Sequence, residues 1–378
     1  IAGELEGPIS EDNLRRRFGG APDTGEHRFM DQLRRERCLA MAHIAWRDLV
    51  GLSSLEENLA GLSAVADMAI QSATSYALGQ LGSRYGTPRD AAGQAVEPVV
   101  LAMGKLGGEE LNFSSDVDLI LLYPVSGETD GKRPLANEQL FIKLGQQLVR
   151  LLDESTQAGF VFRVDFRLRP FGSSGPLAVS FSALESYLLE HGRDWERYAY
   201  VKARAVVGDS AALTLFDEVL RPFVYRRYLD FGVFDSLRQM KALIEEEVAR
   251  RDLQNNIKLG AGGIREIEFI TQSLQLVRGG QDPSLRQQHL LIALPQLAQE
   301  RLLSPETVAD LEQAYRSLRC IENRIQALND QQTHDLPADG QAQARLAWSM
   351  NTDWNGLLDF LAGQRGLVEK HFKAVVFS

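Results

Sequence analysis

The stretch that decides the fold is Leu101–Tyr123, LAMGKLGGEELNFSSDVDLILLY. An apolar run from Val99 to Met103 predicts a strand, the glycines that follow predict a turn, and an acidic pair opens a second predicted strand, Val117 to Tyr123. Side chains alternate along a strand, so Asp116 and Asp118 share a face, with Cα atoms roughly 6 to 7 Å apart. Two carboxylates about 5 Å apart repel by roughly 3 kcal/mol at an effective dielectric near 20, and a cation between them reverses the sign. Oxygen donors without a nearby histidine suit Mg²⁺, with Mn²⁺ as the alternative. Gly107 and Gly108 have no side chains to keep backbone N–H groups from a phosphate, and Ser114 and Ser115 stand ready to help. Against this stands the plainer reading that D-x-D is a common pattern, often a loop cap or a solvated pair.

The second decisive stretch is Phe160–Leu177, FVFRVDFRLRPFGSSGPL. Read as a strand from Phe160 to Leu168, it alternates strictly: Phe162, Val164, Phe166 and Leu168 on one face, Arg163, Asp165, Arg167 and Arg169 on the other. Such a charged row is commonly a solvated outer face with surface ion pairs. Beside the Asp116/Asp118 strand, however, it supplies a third metal ligand in Asp165 and guanidinium forks for phosphate in Arg167 and Arg169. The glycines and prolines that follow at once suggest a loop closing over a ligand. Other phosphate motifs fail on inspection. Gly104-Lys105-Leu106 lacks the Ser or Thr of a P-loop, no glycine follows Asp118 as a calcium loop requires, and Gly260–Arg265 ends in arginine where a dinucleotide fingerprint needs glycine or alanine.

Outward from these strands the chain reads as helical. Apolar residues recur at helical spacing over Met30 to Leu49 and Leu55 to Tyr85, the latter with Ser53 or Ser54 as its cap. The Pro-bounded stretch from Thr87 to Pro98 marks a boundary, and a helix is predicted over Asn137 to Asp153. Ser182 with Glu185 forms a capping box ahead of a helical run that includes WERYAYVKARAVV. Val233 to Asp252 is amphipathic, and Ser304-Pro305-Glu306 starts a helix with Val308, Leu311, Leu318, Ile321, Ile325 and Leu328 on one face. The expected architecture is α+β and mostly helical: a helical segment over residues 1–95, a small mixed sheet over 96–208 and a helical bundle over 209–378.

The 378 residues are 44% hydrophobic, enough for sizeable cores, and the net charge of −10 makes duplex DNA an unfavourable ligand. Cys38 and Cys320 form no metal-binding or disulfide pattern, which fits a cytoplasmic setting, and no apolar run reaches the length of a membrane span or a signal peptide. A chain that opens on Ile1 and stops at Ala374-Val375-Val376-Phe377-Ser378 reads as a piece of a longer protein, or as one with a processed terminus.

Four segments in order, GKLGGEELNFSSDVDL, VDFRLRPFGSSGPL, WERYAYVKARAVVGD and KLGAGGIREIEFI, strongly resemble the bifunctional glutamine synthetase adenylyltransferase/adenylyl-removing family, within the polymerase β-like nucleotidyltransferases. The wording RPFGSSGPL and GAGGIREIEFI is similar to the N-terminal, adenylyl-removing module of that family. The resemblance implies Mg²⁺-dependent phosphorolysis of adenylyl-tyrosine on glutamine synthetase, with phosphate entering and ADP leaving. ATP-dependent attachment and a non-catalytic regulatory role are the alternatives. It further implies a PII-type signalling protein as regulator and a second nucleotidyltransferase module in the same longer chain. On this reading Asp116, Asp118 and Asp165 hold metal, while Gly107, Gly108, Ser114, Ser115, Arg167 and Arg169 hold nucleotide and phosphate. Lys105 is a further candidate in the Gly-rich turn. Lys202 and Arg204 are candidates for phosphate or substrate, or else form i,i+4 pairs on a helix face. Glu266 and Glu268 are candidates for the cleft, or else cap or pair with an arginine such as Arg265.

Overall fold

A computed structural model describes residues 7–19, 25–226, 232–251, 253–327 and 330–377. The fold is α+β and mostly helical, in two compact units. One takes in the described residues up to Leu111 together with Ser115–Phe223. The other takes in Asn112–Ser114 and the described residues from Val224 onward. The N-terminal helices and the sheet, expected as separate segments, fall within the first unit.

The first unit is built on two long helices, Glu26–Leu49 and Leu55–Tyr85. Of the two serines offered as cap, Ser54 takes the role: its Oγ accepts the Glu57 N–H at 3.1 Å, with Glu56 and Glu57 in the first turn where the helix dipole favours them. Leu59, Leu62, Val65, Ala66, Ala69, Ile70, Ala73 and Ala77 are fully buried along this helix. It packs on the Asn137–Asp153 helix and on the sheet.

The strands are β1 (Pro88–Arg89), β2 (Val99–Ala102), β3 (Val117–Tyr123), β4 (Glu128–Thr129), β5 (Val164–Asp165), β6 (Ala178–Ser180) and β7 (Arg204–Val207). β1, inside the stretch read as a boundary, pairs with β4 in a two-residue ribbon. The main sheet has the order β5-β3-β2-β7, with β6 also on β3. β2 runs antiparallel to β3 and β7, whereas β5 and β6 both run parallel to β3. Thus β5 lies against the start of β3 and β6 against its end, and the chain between them leaves the sheet as a loop.

Three expectations are corrected here. The strand over Phe160 to Leu168 shrinks to Val164–Asp165, because the Arg167 N–H turns back onto Asp165 Oδ1 at 2.7 Å and the Arg169 N–H onto the Phe166 carbonyl at 3.2 Å. The run WERYAYVKARAVV is not one helix: the helix ends at Tyr200 and Arg204–Val207 becomes strand β7, since its β-branched residues complete the edge of β2. The cap of the Phe181–Glu190 helix is Ser180, whose Oγ accepts the Ala183 N–H at 3.2 Å; Ser182 sits inside its first turn.

The second unit is helical, with Gly232–Arg251, Ile264–Arg278, Leu290–Gln299, Pro305–Ala327, Gly340–Ser349 and Trp354–Phe377 as its main elements. Ser304 Oγ accepts the Thr307 N–H at 3.0 Å, and Val308, Leu311, Leu318, Ile321 and Ile325 are buried as their spacing predicts. Leu328 and Asp252 lie outside the described residues. No helix among the described residues is long and apolar enough to cross a membrane.

Candidate active site

The parallel register of β3 and β5 sets Val117 beside Val164 and Asp118 directly beside Asp165. Neighbouring strands lie about 4.8 Å apart, and in-register residues of a parallel pair point to one side of the sheet. Two carboxylates from stretches 47 residues apart therefore stand side by side. Asp118 is the one residue of β3 that is not buried, and Asp165 is also partly exposed.

Asp116, just ahead of β3, is held by Arg163. The Arg163 carbonyl accepts the Val117 N–H at 2.9 Å, and its Nε donates to Asp116 Oδ1 at 2.6 Å. Its guanidinium also lies 5.2 Å over the Phe160 ring. Arg167 donates to Asp165 through its backbone N–H and its Nε, both at 2.7 Å. Burial acts to raise the Asp165 carboxyl, but these Arg167 hydrogen bonds prevail and hold it below the usual carboxylate range. Among the described residues, no group of three or more Asp, Glu, His or Cys side chains is gathered closely enough to hold a metal ion. The Asp118/Asp165 pair is the ready-made part of the acidic set.

The Gly-rich turn works differently from its sequence reading. Gly104, which that reading passed over, adopts φ +56° at the end of β2, and a Cβ placed there would stand 2.9 Å from Asp118 Oδ2. The missing side chain lets the Asp118 carboxylate lie close against the turn. Lys105 is in the same short turn, Gly104–Gly107. The Gly107 N–H donates to the Met103 carbonyl at 3.0 Å and the Gly108 N–H to the Gly104 carbonyl at 3.1 Å, so both amides are engaged inside the turn. A Cβ on Gly107 would stand 1.9 Å from the Lys202 carbonyl oxygen, so its absence permits a backbone contact.

Lys202 and Arg204 brace that turn from behind. Lys202 Nζ meets Glu110 Oε2 at 2.7 Å, both side chains buried. Arg204, on β7 rather than a helix face, forks onto Asp67 at 2.9 and 3.0 Å and donates to the Leu106 carbonyl at 3.0 Å. Burial raises the Asp67 carboxyl despite this fork. Arg169 spends its donors on the carbonyls of Phe166, Gly175 and Ser173, stapling the loop after β5. Burial lowers its pKa.

Ser115 is buried directly ahead of Asp116. Ser114 belongs to the second unit, where its N–H donates to Gln326 Oε1 at 3.3 Å. Glu266 and Glu268 lie on the Ile264–Arg278 helix of that unit, where Arg265 pairs with Glu247 at 3.0 Å. Glu266 is buried, its Oε2 has no hydrogen-bond partner, and desolvation pushes its pKa up to about 7.

Sequence reasoning singled out the three aspartates as candidates, did not single out Gly104 or Glu110, and left Arg163 as one of a row. A glycine directly after an apolar strand was the visible signal for the first. Pairings across 47 and 92 residues leave no local signal.

Oxygen donors in register, an adjoining glycine without a side chain and a flanking arginine fit a hard divalent cation beside a phosphate. A small mixed sheet presenting such a pair at the strand after a Gly-rich turn is the arrangement that the nucleotidyltransferase resemblance predicts. Residues 10–219 match the model of the glutamate-ammonia ligase adenylyltransferase family, and the chain belongs to that family. Residues 238–376 match the GlnD PII-uridylyltransferase model. Proteins called bifunctional glutamine synthetase adenylyltransferase/adenylyl-removing enzyme are 52% identical over 93% of the chain in Thioalkalivibrio sulfidiphilus and 50% identical over 91% in Stenotrophomonas maltophilia. The counterpart in Shewanella oneidensis is 48% identical over 99% of the chain. These matches cover 36%, 37% and 39% of the respective relatives, so the chain spans little more than a third of their length.

Proposed function

We propose that this chain removes AMP from an adenylylated tyrosine of glutamine synthetase by phosphorolysis, in the cytoplasm, as one module of a longer bifunctional enzyme. The observation that carries the proposal is the register of Asp118 with Asp165, flanked by Arg167. Inorganic phosphate attacks the α-phosphorus, the bond to the tyrosine oxygen breaks, and ADP and free tyrosine result. Phosphate arrives as an anionic nucleophile and a phenolate of pKa about 10 is a workable leaving group, so the task is to position the groups and offset charge. That matches a site of carboxylates and arginines with no histidine or cysteine.

Asp116, Asp118 and Asp165 form the acidic set for Mg²⁺, or Mn²⁺ in its place. The bound cation supplies electrostatic stabilisation of charge on the reacting phosphoryl oxygens. Arg167, on an exposed arm, would turn from Asp165 to phosphate oxygens, while Gly104 lets the Asp118 carboxylate lie close to the turn. Arg169 shapes the loop, and Lys202, Glu110 and Arg204 fix the turn. The match of residues 238–376 supports a PII-type protein as regulator acting through the helical unit.

Attachment of AMP from ATP by the same fold is the second reading, favoured by the word bifunctional in the relatives' names. The test is to supply adenylylated glutamine synthetase with Mg²⁺ and phosphate, and unmodified synthetase with Mg²⁺ and ATP. ADP from the first mixture, lost in Asp118→Asn, supports removal. Pyrophosphate from the second with no ADP from the first reverses the direction.

A further inference from the structure

Phe171, in the loop after β5, combines two features that a phenylalanine normally avoids. Its backbone is left-handed, with φ +60°, a conformation that suits glycine and strains a bulky residue, and its side chain is 56% exposed. The surrounding loop holds it there from both sides. Arg169 Nη1 donates to the Phe166 carbonyl at 2.8 Å, and its Nε and Nη2 donate to the Gly175 carbonyl at 3.1 and 3.0 Å. The Gly172 N–H donates to the Arg169 carbonyl at 2.9 Å, and Gly175 packs so tightly that a Cβ there would stand 2.0 Å from the Pro170 carbonyl oxygen. On the other side the Phe171 ring meets Tyr187 at 4.7 Å and His191 at 5.6 Å between centroids, both at steep angles. Its backbone also meets the Tyr187 hydroxyl, which donates to the buried Glu196 Oε1 at 2.7 Å. Strained backbone persists only where its surroundings over-determine it, and such places cluster at ligand sites.

We infer that Phe171 is the platform on which the adenine of the bound nucleotide stacks. The inference rests on the nucleotide-handling reading above and gives the base a contact within this chain. The loop begins at Asp165 and is folded back on it, since the Arg167 N–H donates to Asp165 Oδ1 and the Arg169 N–H to the Phe166 carbonyl. The ring therefore belongs to the same edge as the carboxylates. The adenylyl-tyrosine substrate offers two rings of different reach: the phenol oxygen is bonded to the α-phosphorus itself, whereas the adenine lies a ribose further away. A ring six residues beyond Asp165, past the Arg167 arm proposed for phosphate, fits the longer reach. Carboxylates and arginines serve the phosphates and leave the apolar face of a base unanswered. A fixed aromatic face answers it, and because the loop is already ordered, little freedom is lost on binding.

The experiment is a calorimetric titration of the whole chain with ADP in Mg²⁺, and separately with pyrophosphate, which has the phosphates without the base. Phe171→Ala should weaken ADP about tenfold and leave pyrophosphate binding unchanged. Phe171→Trp should keep the affinity for ADP, and the fluorescence that it adds over the wild type should be quenched when ADP binds. Phe171→Gly suits the left-handed backbone, so it should melt higher than Phe171→Ala while binding ADP as weakly, which separates the ring from the shape of the loop. No ADP binding by the wild type, unchanged ADP binding in Phe171→Ala, or equal weakening of ADP and pyrophosphate would overturn the inference. If adenylylated synthetase yields ADP but Phe171→Ala binds ADP like the wild type, this inference fails and the phosphorolysis reading stands. If the ADP pattern holds but adenylylated synthetase yields no ADP, the phosphorolysis reading fails and the platform stands.

Discussion

Charged side chains of the β3–β5 edge and of the helical unit are used in opposite ways. At the edge, Asp116, Asp118 and Asp165 stay partly exposed and are answered by arginines from one neighbouring segment. In the helical unit, Arg319 and Glu322 are fully buried 3.5 Å apart, Glu322 also faces His334 at 2.7 Å, and Arg319 donates to the Asn112 side chain. This desolvated pair lies on one helix, closed to solvent, and through Asn112 and His334 it fixes which segments meet that helix. A half-exposed pair on a short strand can exchange its partner. Exposure, more than residue type, separates the charges proposed for chemistry from those that specify structure.

Asp165→Asn bears on that contrast most heavily. Because Asp165 stands at the exposed edge, the amide should cost at least about a thousandfold in ADP formation while leaving the melting temperature within a degree or two. A variant that melts early instead would place Asp165 with the structural charges. Lys202→Met is the converse. It removes the ammonium facing buried Glu110 and should destabilise the first unit by about 3 to 5 kcal/mol, read by urea denaturation. A stable Lys202→Met with lost activity would move Lys202 into the site.

Glu266→Gln comes next. A carboxyl raised to about 7 by burial binds its proton more tightly folded than unfolded, so its contribution is fully present below about pH 4.5 and is lost as pH rises through 7. The glutamine variant should melt a few degrees higher than the wild type at pH 8 and no higher at pH 4.5, by calorimetry. Equal melting at both values would mean that Glu266 is solvated. Arg167→Ala has the smallest effect on stability, because the arginine side chain is exposed. Its consequence should appear instead as a phosphate KM raised about tenfold.

The same contrast explains what could be read before folding. β3, Leu55–Tyr85 and Asn137–Asp153 stand at their sequence-derived limits because long buried runs decide their own ends, with a serine cap in addition for Leu55–Tyr85. β5 is two residues of the longer strand read from sequence, and β7 lies in a run read as helical. Each is short and exists because an edge of β3 or β2 was waiting for it. The acidic pair was legible from its spacing, whereas Arg163 on Asp116 and Lys202 on Glu110 depend on contacts between distant stretches. Gly107 was legible as important, yet its work is a close approach to the Lys202 carbonyl, and Gly104 is the glycine that Asp118 approaches closely.

The central claim is that phosphate, placed by this edge, is the nucleophile. Its most direct test is a single turnover of adenylylated glutamine synthetase with ³²P-labelled inorganic phosphate and Mg²⁺, followed by separation of the nucleotides. The account predicts label in the β-phosphate of ADP, one per tyrosine released, and none with Asp118→Asn. Release of unlabelled AMP would contradict it, since water rather than phosphate would then be the attacking group.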